Sequence, residues 1–189
     1  LYDFNNEKYS NWILNIYDKY FNFDDYFFLQ ILKKVKKIEI IRKIYLIRPN
    51  VDISALLEDL CIKNQIKTVR KLLDLKPSIV KTEYFEKATS IVLSNGYLEL
   101  SRLFYRYDSN ILDNLNTIDS FVFEEGNSGF IKWILSLKPD IKIDEISFIN
   151  VCQSSNLDLL KFLLKIRPNL DISSNNEAAF RIACVNSNI

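Results

Sequence analysis

Cysteines, scattered carboxylates and lysines are what this sequence offers for chemistry, because its 189 residues include no histidine. Without an imidazole, the Ser-His and Cys-His nucleophile pairs, the usual general base near neutral pH and the commonest zinc ligand are all missing. The three cysteines, Cys61, Cys152 and Cys184, invite a metal or redox reading. Cys61 and Cys152, however, each precede a proline (Pro77 and Pro168) by sixteen residues, inside apolar segments three sequence copies apart. At roughly 10 Å per packed layer that is about 30 Å, too far for a shared disulfide or ion. Cys184 holds the same phase, so all three are expected to be small buried hydrophobes. No spacing brings two carboxylates together in a desolvated pocket. The "GNSG" from Gly126 to Gly129 lacks the lysine and strand context of a phosphate loop and reads as a turn. No catalytic, cofactor-binding or metal-binding residue is assigned, and an enzyme is not expected.

The other chemical candidates have structural explanations. The run "KKVKKIEIIRK" from Lys33 to Lys43 is basic, but it lacks the interleaved aromatics of a single-strand binder and reads as a solvated helix end. With 25 basic against 24 acidic residues the net charge is +1, which supplies no field to draw in nucleic acid or an anionic membrane. Apolar runs are broken by charges well short of bilayer length, so no membrane span is expected and the chain reads as soluble. A composition that is 48% hydrophobic and 13% aromatic belongs to a folded chain with a sizeable core. With no methionine, the sequence reads as an excerpt from a longer protein.

The elements that position these residues recur. In "NLDLLKFLLKIRPNLDIS" (156–173) the apolar residues occupy most of a helix circumference, and Asp158, Lys161 and Lys165 form one narrow polar stripe. Such a helix is expected to be sandwiched between neighbours like itself. Four segments align on its helix stop, Pro168: "IEIIRKIYLIRPNV" at Pro49, "IKTVRKLLDLKPSI" at Pro77, "LELSRLFYRYDSNI" at Ser109 and "SGFIKWILSLKPDI" at Pro139. A weaker copy places Asp18 in phase, and the intervals from 18 through 168 are 31, 28, 32, 30 and 29 residues. All four prolines fall on this phase, where a residue that cannot continue a helix sets the exit.

Thirteen residues before the anchors stand Asn64, Gly96, Gly126 and Ser155, turn formers between a first helix A and the second helix B. Ser54, Thr82 and Ser174 with Glu177 are expected caps of helix A. Basic residues recur seven before the anchors, at Arg42, Arg70, Arg102, Lys132 and Lys161, as the centre of the solvent stripe of helix B. Glu39, Glu99 and Asp158, three residues earlier, can pair with them. Trp12 and Trp133 share the phase of Phe162 and are expected to pack between copies.

"NNEAAFRIACVNSNI", in phase with "LDLLKFLLKIRPNLDIS", resembles the ankyrin repeat, and in its Lys-Pro-Asp-Ile and Arg-Pro-Asn-Leu helix ends and Ile, Asn and Lys richness it is similar to the divergent ankyrin-repeat proteins of giant DNA viruses of amoebae, the mimivirus-like kind. The family's helix A motif corresponds to Ala178, Ala179, Phe180, Arg181, Ile182, Ala183 and Cys184, and its turn motif survives best as Gly96, Tyr97, Leu98 and Glu99. The Thr-Pro and His positions are lost in every copy and the period is below the family's usual 33. The loops after the prolines are therefore expected to be short.

The expected fold is an all-α solenoid of stacked helix-turn-helix pairs, a single array over 1–189. It comprises partial copies at 1–22 and 174–189 flanking copies at 23–53, 54–81, 82–113, 114–143 and 144–173. Lacking polar end caps, both ends are expected to fray or to be covered by further copies. The resemblance implies a non-catalytic scaffold without cofactor or small-molecule substrate, binding a host protein in the cytoplasm through helix A ends and inter-copy loops. The residues at those places are Lys63, Lys81, Ser94, Asp113, Glu124, Glu125, Lys142 and Gln153. Alternatives are the substrate-recruiting part of a ubiquitin-ligase adaptor and a structural component of the virion.

Overall fold

The computed structural model describes residues 29–30, 32–33, 38–124, 127–169 and 174–185; of Glu124, Ser174, Asn175, Asn176 and Ala183 it describes the backbone alone. Trp12, Asp18 and the copy expected over 1–22 lie outside these residues, as do Glu125 and Gly126. Ten α-helices are delimited among the described residues: α1 Ile38–Ile47, α2 Leu57–Ile62, α3 Ile66–Leu75, α4 Glu83–Ser94, α5 Leu98–Tyr107, α6 Ser120–Glu124, α7 Ser128–Leu137, α8 Glu145–Gln153, α9 Leu157–Ile166 and α10 Ser174–Val185. Short 3-10 turns cover Ile53–Leu56, Pro77–Lys81 and Ser109–Leu112. The described residues are all-helical apart from one isolated parallel bridge, Thr117 to Lys142. The chain divides into two compact units, Leu1–Ile91 and Val92–Ile189, with the division falling inside α4.

The helices α1, α3, α5, α7 and α9 are each ten residues long and stop two residues before Pro49, Pro77, Ser109, Pro139 and Pro168. Sterics explain the stop, since the ring of a proline pushes the residue before it out of the helical region. Lys76 (φ −136°, ψ 79°), Lys138 (φ −127°, ψ 79°) and Arg167 (φ −132°, ψ 69°) have all left it. Asp108 takes the same exit (φ −147°, ψ 110°) before Ser109, where its carboxylate accepts from Asn110 N.

Chirality governs the turn within each pair. Asn64, Gly96 and Ser155 have φ of 50°, 65° and 58°, the left-handed conformation that reverses a chain after a helix. Around Asn64 the two bonds of a Schellman motif close the end of α2, Asn64 N to Cys61 O and Gln65 N to Leu60 O, both 2.9 Å. The same two close α4, from Gly96 N to Leu93 O and Tyr97 N to Val92 O, both 3.1 Å. Ser155 N keeps the inner bond to Cys152 O at 3.4 Å, and Asn127 N the outer bond to Val122 O at 3.4 Å. The positions thirteen before the anchors are thus the intra-pair turns wherever they are described.

Packing follows the pairs. In the first unit α2 lies on α3, and α1 contacts α3. In the second, α6 packs on α7 and α8 on α9, while α6, α8 and α10 contact one another in succession and α5 contacts α7. Asn150 ties α8 to α6 by donating Nδ2 to Ser120 O at 3.0 Å. The second unit's core contains Val122, Phe123, Phe130, Ile131, Ile134, Val151, Leu159 and Leu163, all buried, each side chain contributing about 1.5–3 kcal/mol relative to exposure.

Four expectations need correction. Cys184 is exposed, unlike buried Cys61 and Cys152, because no described helix covers the outer side of α10; Phe180 and Val185 are exposed there too. α9 is not enclosed either: Leu157 and Leu164 are exposed and only Leu159 and Leu163 are fully buried. Ser54 is not a cap but a fully buried residue: Asp52 caps the 3-10 turn Ile53–Leu56 by accepting from Ser54 N at 3.1 Å, and α2 continues from that turn with no side-chain cap. Glu177 has φ 58°, which is incompatible with the helical third position of a capping box.

Candidate functional site

Helix pairing divides the expected partner-binding residues into two sets. Lys63 caps α2, Ser94 ends α4 and Gln153 ends α8, so these three lie at the turn end of their pairs. Lys81 ends the 3-10 turn Pro77–Lys81, Asp113 follows the turn Ser109–Leu112, and Lys142 sits in the exit after α7, so these lie at the loop end. A ten-residue helix B separates the two ends by about 15 Å at 1.5 Å per residue. The expected residues thus fall at two opposite ends within each pair. Lys63, Lys81, Asp113, Lys142 and Gln153 are exposed and Ser94 is half-buried. The backbone of Glu124 belongs to the turn-end set through α6, while Glu125 lies outside the described residues.

The loop end is held by long-range polar contacts. Lys76 Nζ reaches Asp52 Oδ1 at 2.8 Å, joining the exit of α3 to that of α1. Burial alone would raise the Asp52 carboxyl, but hydrogen bonds from Lys76 and Ser54 outweigh it and hold the group below its ordinary value. Lys138 Nζ donates to Leu112 O at 2.6 Å, Leu115 O at 2.8 Å and Asp113 O at 3.2 Å. Arg167 donates to Pro139 O and, at 3.2 Å, to Ile141 O. Beside these ties, Lys142 N donates to Asn116 O at 3.1 Å across the isolated bridge. The positional signal for this role is the basic residue before Pro77, Pro139 and Pro168, namely Lys76, Lys138 and Arg167, yet helical periodicity gives those residues no function.

Other charges lie on helix faces. Arg42, Arg70, Arg102 and Lys161 of the stripe are exposed, Lys132 is half-buried, and Arg102 meets Glu99 at 3.2 Å. Glu39 reaches Lys71 of α3 at 3.1 Å, in the wall of an open groove of about 350 Å³ that Ile38, Arg42, Asp74 and Leu75 also line. Of the basic run from Lys33 to Lys43, residues 34–37 lie outside the description, and Lys33 and Arg42 are exposed. Trp133 packs edge-on against Tyr105 at 5.8 Å, and Lys132 Nζ lies 5.5 Å from the Phe162 ring centroid.

Burial pushes the Cys61 thiol up to about 12, with the charge of Glu58 adding to it, and burial also raises Cys152. Neither has the low-pKa environment of a nucleophile or thiolate ligand. Among the described residues no group of three or more His, Cys, Asp or Glu side chains is placed to hold a metal ion. None of the described helices is long and apolar enough to cross a membrane. Comparison of the chain with protein-family models, with curated proteins and with solved structures finds no match.

Proposed function

We propose that this chain is a non-catalytic protein-binding scaffold, a solenoid of divergent ankyrin-like helix pairs of the kind carried by giant DNA viruses of amoebae, acting on a host protein in the cytoplasm. The observation that carries the proposal is the contrast between the middles and the ends of the helix pairs. The middles hold the core, including two of the three thiols, whereas the ends present Lys63, Lys81, Asp113, Lys142 and Gln153 to solvent on short, hydrogen-bonded connections. A rigid frame that repeats one kind of exposed end at successive layers suits recognition of a macromolecule by many weak contacts. Residues of both charge signs on those ends favour a protein over a polyanion.

The experiment is affinity capture from amoebal lysate with the wild type and with two charge-reversed variants. One is altered at the loop end (Asp113→Lys with Lys142→Glu) and one at the turn end (Lys63→Glu with Glu124→Lys). A defined protein retained by the wild type and lost with either variant supports the scaffold. Retention of the same proteins by all three counts against it.

A further inference from the structure

We propose that Lys138 and Arg167 are latches, each fixing the exit loop of the helix pair before its own. Lys138 follows the last residue of α7, and its ammonium is gathered by the carbonyls of Leu112, Leu115 and Asp113 at 2.6, 2.8 and 3.2 Å. Those carbonyls close the 3-10 turn Ser109–Leu112, in which Asp113 N bonds Asn110 O at 2.9 Å and Leu115 N bonds Leu112 O at 3.0 Å. The carbonyl end of a helical turn carries partial negative charge, so a cation there satisfies acceptors and offsets the local dipole together.

Arg167 repeats the arrangement one pair later. It follows α9, and its guanidinium reaches Pro139 O and Ile141 O on either side of the exit from α7, while also bonding Ile166 O at 3.2 Å. In the first unit Lys76 makes the equivalent reach to the Asp52 side chain. One register position thus carries one task, although ammonium or guanidinium performs it on backbone or side-chain acceptors. Asp108 occupies that position as an anion and caps Asn110 of its own turn instead.

The loops bearing Asp113 and Lys142 are therefore ordered by the pair that follows them. This makes Lys138 and Arg167 positioning residues for the loop-end surface, acting without partner contact. Their effect on binding rests on the scaffold reading; their effect on loop order does not.

Amide hydrogen exchange on the whole chain tests the proposal with Lys138→Met, Lys138→Arg and Arg167→Met. In Lys138→Met the amides of Asp113 and Leu115 are expected to exchange about tenfold faster or more, as loss of a charged hydrogen-bond set implies. Amides within α7 should change little, and Lys138→Arg should stay near the wild type. Arg167→Met should move the effect to the Ile141 amide, which bonds Lys138 O. Exchange at Asp113 and Leu115 within twofold of wild type in Lys138→Met overturns the latch. So does equal acceleration throughout α5 and α7, or Lys138→Arg behaving like Lys138→Met. Should the amides respond while affinity for a captured partner is unchanged, the latch stands and the loop-end binding surface fails.

Discussion

Ser155 holds a left-handed backbone with a Cβ that this conformation penalises by about 1–2 kcal/mol, whereas glycine bears only its extra unfolded-state entropy of about 0.5–1 kcal/mol. Ser155→Gly should accordingly stabilise the chain by roughly 0.5–1 kcal/mol in urea unfolding. Gly96→Ala should do the reverse by at least about 1–2 kcal/mol, since a Cβ there would lie 2.8 Å from Val122 Cγ1 and 3.0 Å from Asn127 Nδ2. These positions were readable because glycine, asparagine and serine share a phase that admits few other residues. The cysteines were readable only in part: their common phase predicts burial, but burial also needs a covering helix, which Cys184 lacks among the described residues. A thiol reagent at pH 8 should titrate Cys184 rapidly and Cys61 and Cys152 only on unfolding. Three equally fast thiols would contradict the packing of α2 and α8.

Helices and their connections add a pH dependence. The Asp52 carboxyl is held below its ordinary value of 3.8, so its stabilisation is present above that value and is lost as pH falls through the lower folded value. Half-exposed, the ion pair with Lys76 contributes at most about 1 kcal/mol. Asp52→Asn should keep the cap to Ser54 N while losing the pair. Its thermal midpoint should therefore sit slightly below the wild type at pH 7, with the gap narrowing as pH falls below 3.8 and through the lower folded value. A gap that widened in acid would reverse the assigned sign. Helix B was readable to within two residues of its end because an apolar period of 3.6 and a proline stop agree. Helix A was not, since its length varies from five residues in α6 to twelve in α4, and α2 is entered through a 3-10 turn capped by Asp52. Lys138 was unreadable as a tie, because its acceptors are backbone carbonyls 23 to 26 residues away, and only the folded loop aims them at the side chain.

Among the described residues the all-helical class agrees with composition and period, and α6 contacts α7 and α8 while α8 contacts α9. Function was the least readable property, because a recurring pattern encodes the positions that must be buried and leaves the exposed ends free to vary. The same freedom explains why the expected binding residues fall into two sets: sequence distance along a helix pair does not reveal that its turn and its loop face opposite ways. The most direct measurement is the affinity of a captured partner for four forms of the chain. These are the wild type, Asp113→Lys with Lys142→Glu, Lys63→Glu with Glu124→Lys, and the helix B stripe variant Arg102→Glu with Lys161→Glu. The scaffold account predicts a loss of about tenfold or more in an end variant, the size of one or two contact residues, with the stripe variant near wild type. Unchanged affinity in both end variants, with a loss in the stripe variant, would contradict it.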